Sequence, residues 1–490
     1  MHRLRALIPP LTGLAAALGQ APWSLWWLAL PAYALGIAAI AGARRPFWAA
    51  LAFGAAHFAL ALIWITEPFR VDPELTAWLA PIALGGVSLG FGLFWAVAGW
   101  AGARLLGGPL GVAVALGLVE LLRSYLLTGF PWALPGHVLI ESAALPAASV
   151  AGAHGLGLAV LLGAGLIASR RAVAGAAGLA LWLLPFALGA ALPSAPQAAA
   201  DAPVVRLIQP NAPQHLKWDP DWIGVFFVRG LELAAAAPRG PEPVATIWPE
   251  TALPELLSYS AEVRPMVARA AGTPVVIGAQ RYDADRRPRN TMVLLDREGE
   301  IDLVHDKFRL VPFGEFLPMQ GVFEAIGIGP LATRLAGRFA PGAGPITFDL
   351  PGVGPVMPLI CYEAIFPQDI PRVDRPAAIL HLTNDAWFGT RFGPQQHLAL
   401  TRLRAAESGL PVLRAANTGV SAVIDARGRM LDALPLGTAG FLDAALPPAL
   451  PPTPYMAIRD WGALVLLAAL ALALFVADRR KAVARRAKPA

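Results

Sequence analysis

Pro358-Leu359-Ile360-Cys361-Tyr362-Glu363 is an apolar run that stops abruptly at polar residues. A short apolar run bounded in this way is typical of a buried strand. The run contains Cys361, the only cysteine among the 490 residues, so neither an intrachain disulfide nor a multi-cysteine metal site is available. A lone thiol is either a small buried side chain or a nucleophile, and the residues that accompany it decide between the two.

Similar apolar runs recur between residues 200 and 455, and helical stretches separate them. This alternation predicts an α/β layered domain, in which functional groups gather beyond the strand ends. Glu250, Cys361 and the pair Asn384-Asp385 occupy such positions. Turn signals at 297–300 and 426–429 predict two hairpins. The predicted strands are 204–211, 244–248, 274–279, 291–296, 301–305, 356–361, 378–382, 420–425 and 430–434, and the predicted helices are 221–236 and 394–409.

The composition on either side of this domain is that of a membrane protein, with 15% charged residues overall and a mean hydropathy of +0.55. A membrane span needs about 20 apolar residues. We therefore predict a bundle of about seven spans at 1–195, a soluble domain at 200–455, a transmembrane helix at 460–478 and a basic tail at 479–490. The eight candidate spans lie near 5–21, 23–42, 46–66, 78–102, 109–127, 150–169, 172–193 and 460–477.

The first apolar segment has a second interpretation. Pro9 and Pro10 interrupt it, and Arg3 and Arg5 precede it, as in a signal peptide that is later removed. A second apolar segment follows at once, which favours a retained span. Either choice leaves the soluble domain on the same side of the membrane.

Positive charges predict the topology. Basic residues follow every second span, and the tail at 479–490 carries six cations, whereas the loop at 66–74 is acidic. By the positive-inside rule both termini are cytoplasmic, so an odd number of spans places the 200–455 domain on the outer face. The tail accounts for most of the net charge of +6 and is interpreted as an anchor near anionic lipid, so no nucleic-acid partner is needed.

Cys361 needs help to act as a nucleophile, because the thiolate is the reactive form and no histidine adjoins it. A buried glutamate could act as general base, and a lysine could stabilise an oxyanion or lower the pKa of the thiol. Glu250 and Lys307 are the candidates. Such a set of three residues suffices for acyl transfer through a thioester.

Longer motifs surround all three residues. They are Trp248-Pro249-Glu250-Thr251-Ala252-Leu253-Pro254, His305-Asp306-Lys307-Phe308-Arg309-Leu310-Val311-Pro312-Phe313-Gly314-Glu315 and Leu359-Ile360-Cys361-Tyr362-Glu363, in that order. Together they resemble the carbon–nitrogen hydrolase (nitrilase) superfamily. With the membrane spans, the chain resembles its membrane branch, the bacterial apolipoprotein N-acyltransferase family. Gly129-Phe130-Pro131-Trp132, Thr383-Asn384-Asp385-Ala386-Trp387-Phe388-Gly389 and Arg414-Ala415-Ala416-Asn417-Thr418-Gly419-Val420 extend the resemblance over essentially the whole chain.

The resemblance implies a fold, a site and a reaction. The fold is an αββα sandwich on a bundle of eight membrane helices in the bacterial inner membrane. Glu250 is then the base, Lys307 the oxyanion stabiliser and Cys361 the nucleophile. A phospholipid donates a fatty acyl chain to the cysteine, and the thioester acylates the N-terminal α-amine of a diacylated apolipoprotein.

Further residues have supporting roles by position. Glu315 lies eight residues after Lys307 and could tune it, while Glu363 lies two residues past the nucleophile; structural salt bridges are the alternative for both. Trp218, Tyr362 and Trp387 match aromatic positions of the family and are candidates for lining the acyl or lipid pocket, or for packing. The apolar stretch 316–340 is either a membrane-dipping arm over the site or a core segment.

Two other functions remain open at this point. A membrane-anchored nitrilase-type amidase would use the same three residues and give the acyl group to water. A transporter or receptor with an outer binding domain would need no reactive thiol. The sequence has no metal-ligand cluster and no phosphate-binding glycine loop, so no cofactor or metal is expected.

Overall fold

The computed structural model describes residues 2–325 and 338–486. It divides the chain into two compact units. The membrane unit comprises Met1–Ser194, Arg391–Glu407 and Pro452–Ala490, and the sheet unit comprises Ala195–Thr390 and Ser408–Pro451. Residues 391–407 fall within the predicted soluble domain, yet they group with the membrane unit, which their sequence does not indicate.

Helices dominate the membrane unit, and strands dominate the sheet unit. The described α-helices are α1 (His2–Ala17), α2 (Trp26–Ala41), α3 (Pro46–Ala61), α4 (Pro73–Thr76), α5 (Ala80–Ala101), α6 (Gly108–Tyr125), α7 (Ala148–Ala168), α8 (Ala172–Ala191), α9 (Ile223–Ala235), α10 (Val263–Ala271), α11 (Gln320–Ala325), α12 (Gly393–Ser408), α13 (Pro454–Ile458) and α14 (Trp461–Arg486). The described strands are β1 (Val204–Gln209), β2 (Ala245–Ile247), β3 (Val275–Tyr282), β4 (Pro288–Leu295), β5 (Ile301–Asp306), β6 (Phe348–Leu350), β7 (Gly354–Ile360), β8 (Ala378–Thr383), β9 (Val412–Ala416), β10 (Ala422–Ile424), β11 (Met430–Ala433) and β12 (Gly440–Ala445).

Each predicted span coincides with a helix, but fewer helices meet the length and hydropathy expected of a full span. Among the described residues four segments do so: Pro73–Tyr125, Leu145–Ala168, Ala172–Ala191 and Trp461–Lys481. A fifth is counted if Pro46–Ala61 and Ile63–Arg70, bent by 61°, form one span. The expected number of eight is therefore not reached. Two predicted spans share the continuous segment Pro73–Tyr125, while α1 and α2 have only 16 residues each.

The apolar surface of the membrane unit suits contact with lipid. In α8 and in the apolar part of α14, only 11% of the most apolar stretch is buried within the protein. Glu120 and Arg123 form a buried ion pair inside the unit. Arg123 Nη2 donates to Glu120 Oε2 at 2.6 Å, and the indole of Trp95 donates to Glu120 Oε1 at 2.8 Å. Glu120 and Arg123 share one face of α6, so their burial is compensated locally.

The sheet unit contains two six-stranded mixed sheets, in the orders β12-β1-β2-β3-β4-β5 and β11-β10-β9-β8-β7-β6. In each sheet the three central strands run parallel, β1-β2-β3 in one and β9-β8-β7 in the other. Both predicted hairpins form, as β4-β5 and β10-β11. The α/β class is confirmed.

An apolar core supports the first sheet. Phe227 and Ala234 of α9 and Val267 of α10 pack with buried residues of β1, β3 and β4. The helical periodicity of α9 explains this, since Phe226, Phe227, Gly230 and Ala234 lie on one buried face. The proposed arm at 316–340 is described only in part, because residues 326–337 lie outside the described residues.

Candidate active site

The three predicted catalytic residues lie in the sheet unit, each just past the end of a strand. Glu250 follows β2, Lys307 follows β5 and Cys361 follows β7. The first two come from one sheet and Cys361 from the other. All three side chains are buried. The fold thus brings together groups that are 57 and 54 residues apart in sequence order.

Lys307 is the centre of the charged cluster. Its Nζ donates to Glu315 Oε1 at 2.9 Å and to Glu250 Oε1 at 3.4 Å. Burial alone would lower the pKa of Lys307, but the charges of Glu315 and Glu250 outweigh it and raise that pKa above its ordinary value. The ammonium therefore stays protonated and is available to stabilise negative charge.

Glu250 is held by contacts to both of its carboxylate oxygens. Asn290 Nδ2 donates to Oε1 at 2.7 Å, and the backbone N–H of Asn384 donates to Oε2 at 2.7 Å. Lys307 shares Oε1 with Asn290. These donors orient the carboxylate by binding both of its oxygens.

Cys361 sits in a strained backbone conformation. Its φ is +52°, in the left-handed region that side chains other than glycine rarely adopt. Burial raises the pKa of the thiol, the charge of Glu250 raises it further, and Lys307 partly opposes both effects. The resting residue is consequently a thiol at neutral pH. It can attack a carbonyl only if a base removes its proton.

Of the two supporting residues, Glu315 contacts the cluster directly. Its Oε1 also accepts from Asn290 Nδ2 at 3.2 Å, and its Oε2 accepts from the backbone of Val311 at 2.8 Å. Glu315 thus ties the loop that follows Lys307 back onto the ammonium group. The predicted tuning role fits this geometry.

Glu363 instead joins the backbones next to Lys307 and Cys361. Its Oε1 accepts from the N–H groups of Phe308 (2.6 Å) and Arg309 (3.1 Å), and its Oε2 accepts from that of Ile360 (2.7 Å). Burial raises the pKa of Glu363 to about 8, although the backbone donors and the charge of Lys307 lower it. The sequence left a structural salt bridge open as the alternative role of Glu363. Among the ion pairs of the described residues, none involves Glu363. Glu363 therefore links the segment that follows Lys307 to the strand that ends at Cys361.

The three aromatic candidates differ in their surroundings. Trp218 and Trp387 are exposed, whereas Tyr362 is buried and packs edge-on against Phe366 with 5.1 Å between ring centroids. The exposed pair remains available for contact with a substrate. The surroundings of Tyr362 favour packing, the alternative considered from sequence.

Several residues of the site were not singled out from the sequence. Lys217 is buried, and its Nζ donates to the backbone carbonyl of Glu250 (3.2 Å) and to Thr251 Oγ1 (2.8 Å). Burial lowers the pKa of Lys217 to about 8, and the charge of Glu250 opposes the shift. Asn290, which donates to Glu250, is the second residue of this kind. In the sequence, Lys217 is marked only by its position before Trp218, which matches an aromatic position of the family, and nothing marks Asn290.

Gly278 allows the loop that carries Glu250 to pack directly on β3. A Cβ at this position would lie 2.3 Å from the backbone nitrogen of Thr251 and 2.6 Å from the Cα of Glu250. Any side chain would displace the loop that carries Glu250. The close approach explains why glycine interrupts the otherwise apolar strand.

A small pocket lies beside the same loop. Trp218, Phe226, Trp248 and Pro249 contribute to its mostly apolar wall, and Lys217 is its charged group. Within the described residues no cluster of His, Cys, Asp and Glu could hold a metal ion.

Comparison with known proteins gives matches over both units. The family described as the apolipoprotein N-acyltransferase N-terminal domain matches residues 12–166, and the carbon-nitrogen hydrolase family matches residues 226–451. An apolipoprotein N-acyltransferase of Rhodopseudomonas palustris is 38% identical over 97% of this chain and 95% of its own length. One from Caulobacter vibrioides is 37% identical over 93% of this chain and 92% of its own.

A solved structure is also similar, more distantly. An amidase from Nesterenkonia sp. covers 55% of this chain and 98% of its own, at 19% identity and a TM-score of 0.37. This similarity is too low to support an inference about the reaction. The two N-acyltransferase relatives, by contrast, match over nearly the full length of this chain and of their own.

Proposed function

The chain belongs to the apolipoprotein N-acyltransferase family, and from that membership we propose that it carries a fatty acyl chain from a phospholipid, through a thioester on Cys361, to the N-terminal α-amine of a diacylated apolipoprotein. It is an acyltransferase of the carbon–nitrogen hydrolase superfamily and a membrane protein. The observation that supports this reaction best is the buried contact of Lys307 with Glu250, in a site where both charges also act on the Cys361 thiol.

The first half-reaction forms the thioester. Glu250 removes the proton of the Cys361 thiol, and the sulfur attacks the ester carbonyl of the phospholipid. The negative charge that develops on the carbonyl oxygen is stabilised by the ammonium of Lys307. The C–O bond then breaks, and Glu250 returns its proton to the departing oxygen of the lysophospholipid.

The second half-reaction consumes the thioester. The α-amine of the acceptor attacks the thioester carbonyl and passes a proton to Glu250. The C–S bond breaks, an amide forms, and the proton returns to the sulfur. A thioester survives for this step only where water is kept away, and the burial of all three residues supports that condition.

Substrate contacts are assigned to the exposed aromatic side chains. Trp218 lines the mostly apolar pocket beside the Glu250 loop and is assigned to contact an apolar part of the lipid substrate. Trp387 is exposed just past the end of β8. Glu315 and Glu363 serve the reaction indirectly, by orienting Lys307 and the backbone on either side of the nucleophile.

Turnover with defined lipids tests the function. Purified protein in detergent is given a phospholipid and a synthetic diacylglyceryl-cysteine lipopeptide, and the lipopeptide mass is followed. We expect a mass increase of one fatty acyl chain, and none when the peptide α-amine is acetylated beforehand. Release of free fatty acid with no change in the lipopeptide would favour the amidase instead. If no acyl chain moves at all, the transporter or receptor alternative gains support.

We further propose that the protein lies in the bacterial inner membrane, with both termini in the cytoplasm and residues 200–455 on the periplasmic side. The charge pattern of the loops supports this orientation. Arg45 and Asp72 are both exposed and flank the third predicted span, so they should lie on opposite sides.

Labelling of single cysteines checks the orientation. In a Cys361→Ala background, Arg45→Cys and Asp72→Cys are each treated with a membrane-impermeant thiol reagent in intact spheroplasts. We expect labelling at position 72 only, and labelling at both positions after lysis. Labelling at position 45 alone in intact spheroplasts would reverse the topology.

A further inference from the structure

A series of hydrogen bonds runs from the end of β8 to the backbone of Cys361. Thr383 Oγ1 donates to Asp385 Oδ1 at 2.9 Å. Arg414 Nη2 donates to the other oxygen of Asp385, and Arg414 Nη1 lies 2.7 Å from His381 Nδ1. His381 Nε2 lies 3.1 Å from the carbonyl oxygen of Cys361.

The direction of these bonds follows from chemistry. A guanidinium has only donors, so His381 Nδ1 must accept from Arg414. The imidazole therefore carries its hydrogen on Nε2 and donates it to the Cys361 carbonyl. Arg414 and Asp385 set the tautomer and the orientation of His381, in the way that a carboxylate or carbonyl orients a catalytic histidine elsewhere.

The series is shielded from water. His381, Asp385 and Arg414 each have 0% of their surface exposed. A Cβ on Gly419 would lie 2.3 Å from Asp385 Oδ2, so the backbone itself closes over the carboxylate. Arg414 Nε donates to the carbonyl of Val420 at 3.1 Å, which uses a further donor of the buried cation. A buried ion pair with this many partners is rigid rather than adaptable.

The hydrogen bond from His381 ends at Cys361, whose backbone is strained. A φ of +52° at a residue with a side chain is unfavourable and persists only where the surroundings hold it. The bond from His381 holds the carbonyl of Cys361. Because the peptide bond to Tyr362 is trans, that bond also fixes the direction of the Tyr362 N–H, which points the opposite way.

We propose that His381, oriented by Arg414 and Asp385, is a positioning residue that holds the Cys361 backbone in the conformation from which its thiol reacts. His381 acts through the backbone of Cys361. The inference rests on the proposed role of Cys361 as nucleophile. Its test therefore includes a measurement that needs neither phospholipid nor acceptor.

Two substitutions with side chains of different length distinguish loss of the hydrogen bond to the Cys361 carbonyl from a general loss of folding. His381→Gln can place an amide donor near the position of Nε2 and keep the bond to the Cys361 carbonyl. His381→Asn keeps an acceptor near Nδ1 for Arg414 but is too short to reach that carbonyl. Acyl-enzyme formation from phospholipid is measured in a single turnover, together with the rate and pH profile of Cys361 alkylation by iodoacetamide and the melting temperature.

We expect the Asn variant to form the acyl-enzyme roughly 10–100-fold more slowly, as displacement of a reacting group typically does, with the phospholipid KM unchanged. The Gln variant should remain within about threefold of the wild type on the same scale. Alkylation should also be slower in the Asn variant and follow a shifted pH profile. Equal acylation and alkylation rates in the two variants, or losses that merely parallel the melting temperature, would overturn the proposal.

The alkylation measurement distinguishes the two possible failures. If the wild type is not acylated by phospholipid, the proposed function fails, but the Asn and Gln variants still differ in alkylation when His381 positions the thiol. If the wild type is acylated and the two variants alkylate alike, only the positioning role fails.

Discussion

Replacement of Cys361 by alanine should abolish acyl transfer, lowering the rate by at least roughly 10⁴-fold, because no other residue can form the covalent intermediate. Cys361 is the only cysteine in the chain, so a thioester adduct has a single possible site. Wild-type protein incubated with phospholipid alone should gain the mass of one acyl chain. The adduct should disappear when the diacylated lipopeptide is added.

The alanine variant should show neither the adduct nor transfer. Its melting temperature should stay within a few degrees of the wild type, because alanine removes a single sulfur atom. Cys361→Ser is the matched variant, since it keeps a nucleophile of similar size and loses only the thiol chemistry. Full transfer by the alanine variant would show that Cys361 is a core residue and not a nucleophile.

Glu250→Gln should have the second-largest effect, a loss of about 10³-fold in transfer rate, within the range seen for general bases. Glutamine keeps the size of the side chain but cannot take the proton of the thiol. Its amide group must also face a donor, either Asn290 and Lys307 on one side or the Asn384 backbone on the other. A donor left unpaired in this way costs roughly 1–3 kcal/mol of stability.

The pH dependence of alkylation gives this variant a distinctive signature. The charge of Glu250 raises the pKa of the Cys361 thiol, so its removal should lower that pKa. Alkylation by iodoacetamide should then reach its half-maximal rate at a lower pH, even as transfer falls. Glu298→Gln, the same change on an exposed hairpin, should alter neither quantity. A base other than Glu250 is indicated if transfer survives in Glu250→Gln.

Much of the fold could be predicted from local patterns. The nine predicted strands and the two predicted helices, at 221–236 and 394–409, are present, because each has an apolar run or a helical periodicity of its own. Three strands were missed. The strand β6 has only three residues, and β12 lacks an alternation of apolar and polar residues. The strand β9 is central but includes the charged Arg414. The buried arginine in β9 is stabilised by its ion pair with Asp385, which lies elsewhere in the sequence.

The catalytic candidates could be found because their motifs are local. Glu250, Lys307 and Cys361 each stand in a distinctive run of residues beyond a strand end. The groups that orient them could not be found in this way. Lys217, Asn290 and His381 are chemically ordinary, and their roles depend on partners 33, 40 and 20 residues away.

The membrane character and the strand pattern follow from the order of the residues, because hydropathy and periodicity are properties of neighbouring residues. The three candidate catalytic residues follow from the family motifs in which they stand. The packed fold decides which donors hold Glu250, how Glu363 links two segments, and that Cys361 lies strained at a positive φ under a bond from His381. Hydrogen bonds depend on atoms approaching within about 3 Å. Residues far apart in the chain reach that distance only when the strands that carry them have packed into their sheets.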